Sequence, residues 1–171
     1  DVAGREEFLA ELDETIDLLR SVPSLAVWVP FNEGWGQFDA RATADRVRKL
    51  DPTRLIDHAS GWHDQFAGDM TSRHIYFRRY KLSKADAHDP RAAVLSEYGG
   101  YSYRVPGHVW THKEFGYRKF SEQSAFELAY LNLQNAEVGP AIDDGLAAFV
   151  HTQLSDVEQE TNGLITYDRK V

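Results

Sequence analysis

Apolar runs too short to be helices alternate along this 171-residue chain with stretches whose apolar residues recur at helical spacing, which leaves few folds open. Residues 6–20 set Phe8, Leu12, Ile16 and Leu19 on one helical face, with acids early and Arg20 late, as the helix dipole favours, and Pro23 closes the stretch. Leu25 to Phe31 (LAVWVPF) is then an unbroken apolar run, which predicts a parallel strand covered on both faces. A second helix is expected within residues 39–50, with Ala40, Ala44, Val47 and Leu50 inward and Asp51-Pro52 as its stop. Further short strands are expected at Leu55-Ile56, Ile75 to Phe77, Ala92 to Leu95 and Leu146 to Val150, with a helix around residues 121–137 before the last. Strands alternating with helices imply an α/β class with a mostly parallel sheet. With no internal repeat, low-complexity run or linker, the chain reads as one domain or part of one.

Composition narrows the partners. With 42% hydrophobic, 12% aromatic and 27% charged residues the chain has the makeup of a folded domain. No apolar run approaches the roughly 20 residues of a membrane helix, so no membrane partner is expected. Twenty-seven acids against nineteen bases leave a net charge of −8, which argues against nucleic acid and anionic lipid and favours neutral or cationic ligands. The absence of cysteine excludes disulfides and thiolate metal sites, and leaves the compartment open. The first residue is Asp1 and no basic-then-apolar leader follows, as expected of an internal segment.

Each apolar run hands over to polar residues at its C-terminal end: Asn32-Glu33, Asp57-His58, Ser96-Glu97 and His151-Thr152-Gln153. In parallel α/β sheets that edge carries the functional groups. Two glutamates at strand ends, Glu33 and Glu97, suit glycosidic bond cleavage, in which one carboxylic acid protonates the leaving oxygen and a second carboxylate attacks the anomeric carbon or activates water. The plainer alternative pairs each glutamate with an arginine or a helix end. Asn32 beside Glu33, and aromatics at Trp35, Tyr98, Tyr101 and Tyr103, favour a carbohydrate pocket, because sugars offer C–H faces to rings and hydroxyls to amides.

The stretches VWVPFNEGWGQFD (27–39), LIDHASGWHD (55–64), VLSEYGGYSY (94–103) and FVHTQLSDVEQETNGLITYDRK (149–170) resemble the C-terminal catalytic barrel of glycoside hydrolase family 2, whose members hydrolyse β-galactosides, β-glucuronides or β-mannosides with retention. The resemblance implies a partial (β/α)8 TIM barrel, roughly strands 4 to 8, since a whole barrel needs about 250 residues. The first three βα units and the upstream β-sandwich domains of the family would then be partners, and open sheet edges imply a homo-oligomer. By the same resemblance Glu33 is the general acid/base and Glu97 the nucleophile. Asn32 would bind the sugar 2-hydroxyl, Tyr76 would hydrogen-bond the nucleophile, and His74, Trp35, Tyr101 and Trp110 would contact the sugar. Several members carry a Trp at the end of the eighth strand where this chain has His151, Thr152 and Gln153. No cofactor is implied. No metal is implied either, since Asp156, Glu158 and Glu160 read as a solvated acidic loop and no HExxH motif occurs among His63, His88, His108 and His112. The non-catalytic alternative is a carbohydrate-binding or structural barrel fragment.

Overall fold

In the computed structural model, which describes residues 1–170, helix α1 (Val2–Leu19) begins at Asp1, whose carboxylate accepts a hydrogen bond from the Gly4 N–H at 2.7 Å. That bond satisfies one of the orphan donors of the first turn. The chain divides into two compact units, Asp1–Arg73 with His88–Val94, and His74–Ala87 with Leu95–Val171.

In the first unit, β1 (Val27–Trp28) leads through α2 (Ala40–Leu50) to β2 (Leu55–Ile56), and the two strands pair in parallel, Val27 opposite Leu55 and Trp28 opposite Ile56. The helical spacing read from the sequence sets the core: Ile16, Trp28, Ala44, Val47, Ile56 and Ala67 are buried together, with Leu12, Leu19, Leu25 and Leu50 packed against them. Phe8 stacks on Phe31 with centroids 5.2 Å apart. The turn after α2 is tied by Asp51, which accepts from the Trp28 indole N–H at 2.9 Å and from the Thr53 amide at 3.0 Å.

One expectation is corrected here. The strand over Leu25 to Phe31 is only Val27–Trp28, and it is not covered on both faces: Trp28 and Phe31 are buried, whereas Val29 is 48% exposed. Pro30 has no N–H for a ladder, and Val29 beside it keeps about half of its surface exposed.

Strands β3 (Met70–Ile75) and β4 (Ala92–Gly99) each begin in the first unit and end in the second, where β7 (Ala148–Thr152) joins them in a sheet of order β3-β4-β7. β3 replaces the strand expected at Ile75 to Phe77, and Phe77 is 83% exposed. Its buried members include Thr71, Ser72 and His74, so a search for apolar runs passes over it. Ser72 is satisfied by donating to Asp57 at 2.9 Å. After a short helix α3 (Lys84–Ala87), the second unit adds a parallel pair unforeseen in the sequence, β5 (Tyr101–Tyr103) with β6 (Arg118–Phe120).

The helix expected around 121–137 is α4 (Gln123–Leu133), a π-helical turn (Gln134–Val138) and α5 (Gly139–Asp143). Pro140 has no N–H and crowds the carbonyl four residues back, so the register widens just before it, the Gly139 amide reaching the Gln134 carbonyl. The last strand begins at Ala148 rather than Leu146. The strands lie in sheets of two, three and two, none of which closes on itself among the described residues. Among the described residues no helix is long and apolar enough to cross a membrane.

Candidate active site

In the first unit, Asn32 bridges to Ser60 in parallel fashion, and the Glu33 amide donates to the Ser60 carbonyl at 2.9 Å. The chain then turns sharply, the Trp35 amide reaching the Asn32 carbonyl at 3.0 Å. Glu33 sits at φ +52°, a left-handed backbone that costs a residue with a Cβ about 1–2 kcal/mol. Gly34 follows at φ +76°, and a Cβ there would stand 2.4 Å from the His63 ring. The NEG sequence thus presents the Glu33 side chain from a strained turn, a kind of strain that concentrates at functional positions. Asn32 is exposed, Glu33 half-buried and Trp35 79% exposed.

In the second unit, Glu97 projects from β4, which runs through it rather than ending before it. Two donors converge on one carboxylate oxygen: the Tyr76 hydroxyl donates to Oε2 at 2.6 Å, and Nδ1 of the buried His74 lies 3.3 Å from the same atom. Oε1 has no hydrogen-bond partner among the described residues. The Tyr76 oxygen also lies 3.0 Å from Thr152 Oγ1. The phenol has one proton and the carboxylate is the better acceptor, so Tyr76 gives that proton to Glu97 and accepts from Thr152. Burial, and then the Glu97 carboxylate beside it, push the Tyr76 pKa upward, so the phenol keeps its proton.

The Tyr76 ring is fixed from behind. It stacks on Tyr117 at 3.8 Å, nearly parallel at 2°. The stack lies against Gly100, at φ +62°, where a Cβ would come 2.3 Å from Tyr117 and 3.1 Å from Tyr76. His151, at the end of β7, stands edge-on between Tyr98 and Tyr130, centroids 5.4 and 5.3 Å away, and burial lowers its pKa. Its place between two rings is that of a packing residue.

The other residues singled out in the sequence are more scattered. Tyr101 is buried, tilted against Phe120 at 5.6 Å. Trp110 is 58% exposed and leans on Tyr167 at 5.1 Å. Thr152 and Tyr117 complete the surroundings of Tyr76 without having been singled out as site residues. Thr152 carried a signal, its place in the polar handover of the last strand, whereas Tyr117 lies in a loop with no periodicity.

A carboxylate anchored through one oxygen, with the other oxygen available, is arranged for nucleophilic attack or for accepting a proton. The fold resembles that of a calcium-binding mutant of Bacteroides uniformis beta-glucuronidase 2, with a TM-score of 0.63 and 16% identity, over 96% of this chain and 24% of that one. At that identity the likeness concerns the fold, and this chain spans about a quarter of that structure's length. Curated protein sequences yield no match. The sequence model of the TIM barrel domain of the glycosyl hydrolases family 2 matches residues 4–171, and its parallel strands and interleaved helices form part of such a barrel; the chain belongs to that family.

Proposed function

We propose that this chain supplies the catalytic half of a retaining β-glycosidase of β-galactosidase-like type, with Glu97 as nucleophile and Glu33 as general acid/base. The observation that carries the reading is the Glu97 carboxylate, whose Oε2 is held by Tyr76 at 2.6 Å and approached by His74 at 3.3 Å. Oε1 then attacks the anomeric carbon while the bond to the leaving oxygen breaks, and that oxygen takes the proton from Glu33. In the second half, water attacks the same carbon, gives its proton to Glu33, and the bond to Glu97 breaks. Asn32, adjoining Glu33, is assigned the sugar 2-hydroxyl, with Trp35, Tyr101 and Trp110 as sugar-facing rings.

The test is intact mass and peptide mapping after exposure to a panel of 2-deoxy-2-fluoro β-glycosides, on this chain and on the longer protein containing the remaining barrel strands. A single adduct on Glu97 is expected. An adduct elsewhere, or none on either protein, overturns the reading. A second reading, a glycan-binding module without turnover, is favoured by the exposed rings of Trp35 and Phe77. Saccharide binding without trapping or hydrolysis would decide for it.

A further inference from the structure

Tyr76 holds the Glu97 carboxylate, and a third residue holds Tyr76. Thr152 closes β7, the strand beside β4 in the sheet, and its carbonyl accepts the Gly100 amide at 2.8 Å just past the end of β4. That bond helps to set the Thr152 hydroxyl 3.0 Å from the Tyr76 oxygen, which in turn lies 2.6 Å from Glu97 Oε2. The three groups make a chain in which each part is fixed. An ionised carboxylate only accepts and the phenol has a single proton, so that proton points to Glu97 and the Thr152 hydroxyl donates to the phenol oxygen behind it. Hydrogen bonds in series polarise one another, and a phenol that accepts from Thr152 is a stronger donor to Glu97 than one that does not.

We infer that Thr152 is a positioning residue for the release half of the reaction, acting through Tyr76 on the departure of Glu97 from the sugar. The inference rests on the glycosidase reading. Once Oε1 is bonded to the anomeric carbon, Oε2 is the neutral carbonyl oxygen of an ester. Water then attacks that carbon, the bond to Oε1 breaks with its electron pair, the water proton passes to Glu33, and the carboxylate charge returns to both oxygens. A hydrogen bond to an ion is roughly twice as strong as one to a neutral group, so the Tyr76 donor tightens as the charge returns and lowers the barrier to release. In the first half the same donor stabilises the free carboxylate at least as well as a transition state in which its charge is being lost, so it does not speed attack. The effect of Thr152 therefore falls on release.

The experiment compares wild type, Thr152→Val and Thr152→Ser in the longer protein containing the remaining barrel strands. Valine keeps the branched shape and strand preference of threonine and removes the hydroxyl, whereas serine keeps the hydroxyl. Each protein is labelled with the dinitrophenyl 2-deoxy-2-fluoro derivatives of a β-galactoside, a β-glucuronide and a β-mannoside, and intact mass follows the loss of the Glu97 adduct with time. Release is expected to slow about fivefold in Thr152→Val, the worth of one ordinary hydrogen bond, and to stay within about twofold of wild type in Thr152→Ser. With plain dinitrophenyl glycosides, whose leaving group makes release the limiting step, kcat and KM of Thr152→Val should fall together and leave kcat/KM within about twofold of wild type. Three results overturn the inference: unchanged release in Thr152→Val, equal slowing in Thr152→Ser, or a fall in kcat/KM matching that in kcat, since a displaced site slows both halves. In each of those cases an adduct on wild-type Glu97 leaves the glycosidase reading standing. A wild-type protein that takes no label at Glu97 overturns that reading, and the inference with it.

Discussion

Replacing Gly100 by alanine tests whether the backbone behind the tyrosine stack fixes the position of Glu97's partner. The new methyl group would stand 2.3 Å from Tyr117 and 3.1 Å from Tyr76, at a φ of +62° that a side chain resists. The left-handed backbone costs about 1–2 kcal/mol, partly offset by about 0.4–1 kcal/mol from stiffening the unfolded chain. Overpacking adds about 1–3 kcal/mol, because neither ring of a stack 3.8 Å deep can retreat without leaving the other. The expected loss is about 2–4 kcal/mol. Gly107→Ala is the control in the same unit, since Gly107 lies at φ +83° with nothing within 4 Å of its added Cβ. There only the backbone cost remains, about 1 kcal/mol. Urea denaturation followed by near-ultraviolet circular dichroism measures both, and a slope of about 1–3 kcal/mol per molar places the midpoints roughly 1 M apart. Equal losses within about 0.5 kcal/mol would refute the claim that the glycine serves the stack.

Tyr76→Phe removes the donor to Glu97 Oε2 while keeping the ring on Tyr117, so turnover by the proposed glycosidase should fall about 10–100-fold with stability nearly unchanged; undiminished turnover would reject the anchoring role. In the first unit Arg91 holds Asp64 at 2.7 Å and Asp89 at 2.8 Å, and Arg91→Met should cost about 2–4 kcal/mol at pH 7 by stranding Asp64, as thermal or urea unfolding would record. The Arg91 hydrogen bond holds Asp89 down at about 2; burial works to raise Asp64, yet Arg91 and the Phe66 amide leave it lowered too. Folded pKa values below the unfolded one mean stability present above about pH 4 and lost as pH falls toward 2, and Arg91→Met should flatten that fall in an acid titration of stability. Light scattering should show this chain self-associating, since Phe149, Val150 and Leu131 are 44%, 56% and 55% exposed; Val150→Lys should lower the association, and a wild-type monomer at high concentration would contradict the expectation.

Local periodicity made much of the architecture readable. The inward faces of α1 and α2, the parallel pairing of Leu55-Ile56 with the first strand, and the NEG and SEYGG segments all follow from residues within a few positions of one another. The reading failed where burial was polar or register irregular. β3 buries the polar residues Thr71, Ser72 and His74, which no hydropathy pattern foresees, and the π turn before Pro140 follows from one missing N–H.

The sequence by itself determined the helix and strand alternation, the family, and the identity of the two glutamates worth arguing about, because spacing and motif are properties of neighbouring residues. Only the tertiary structure decided which oxygen of Glu97 is anchored. Its partner Tyr76 lies 21 positions away and that tyrosine's second partner, Thr152, 76 positions away. Hydrogen bonds act over about 3 Å, and only the folded backbone brings such distant residues within that range.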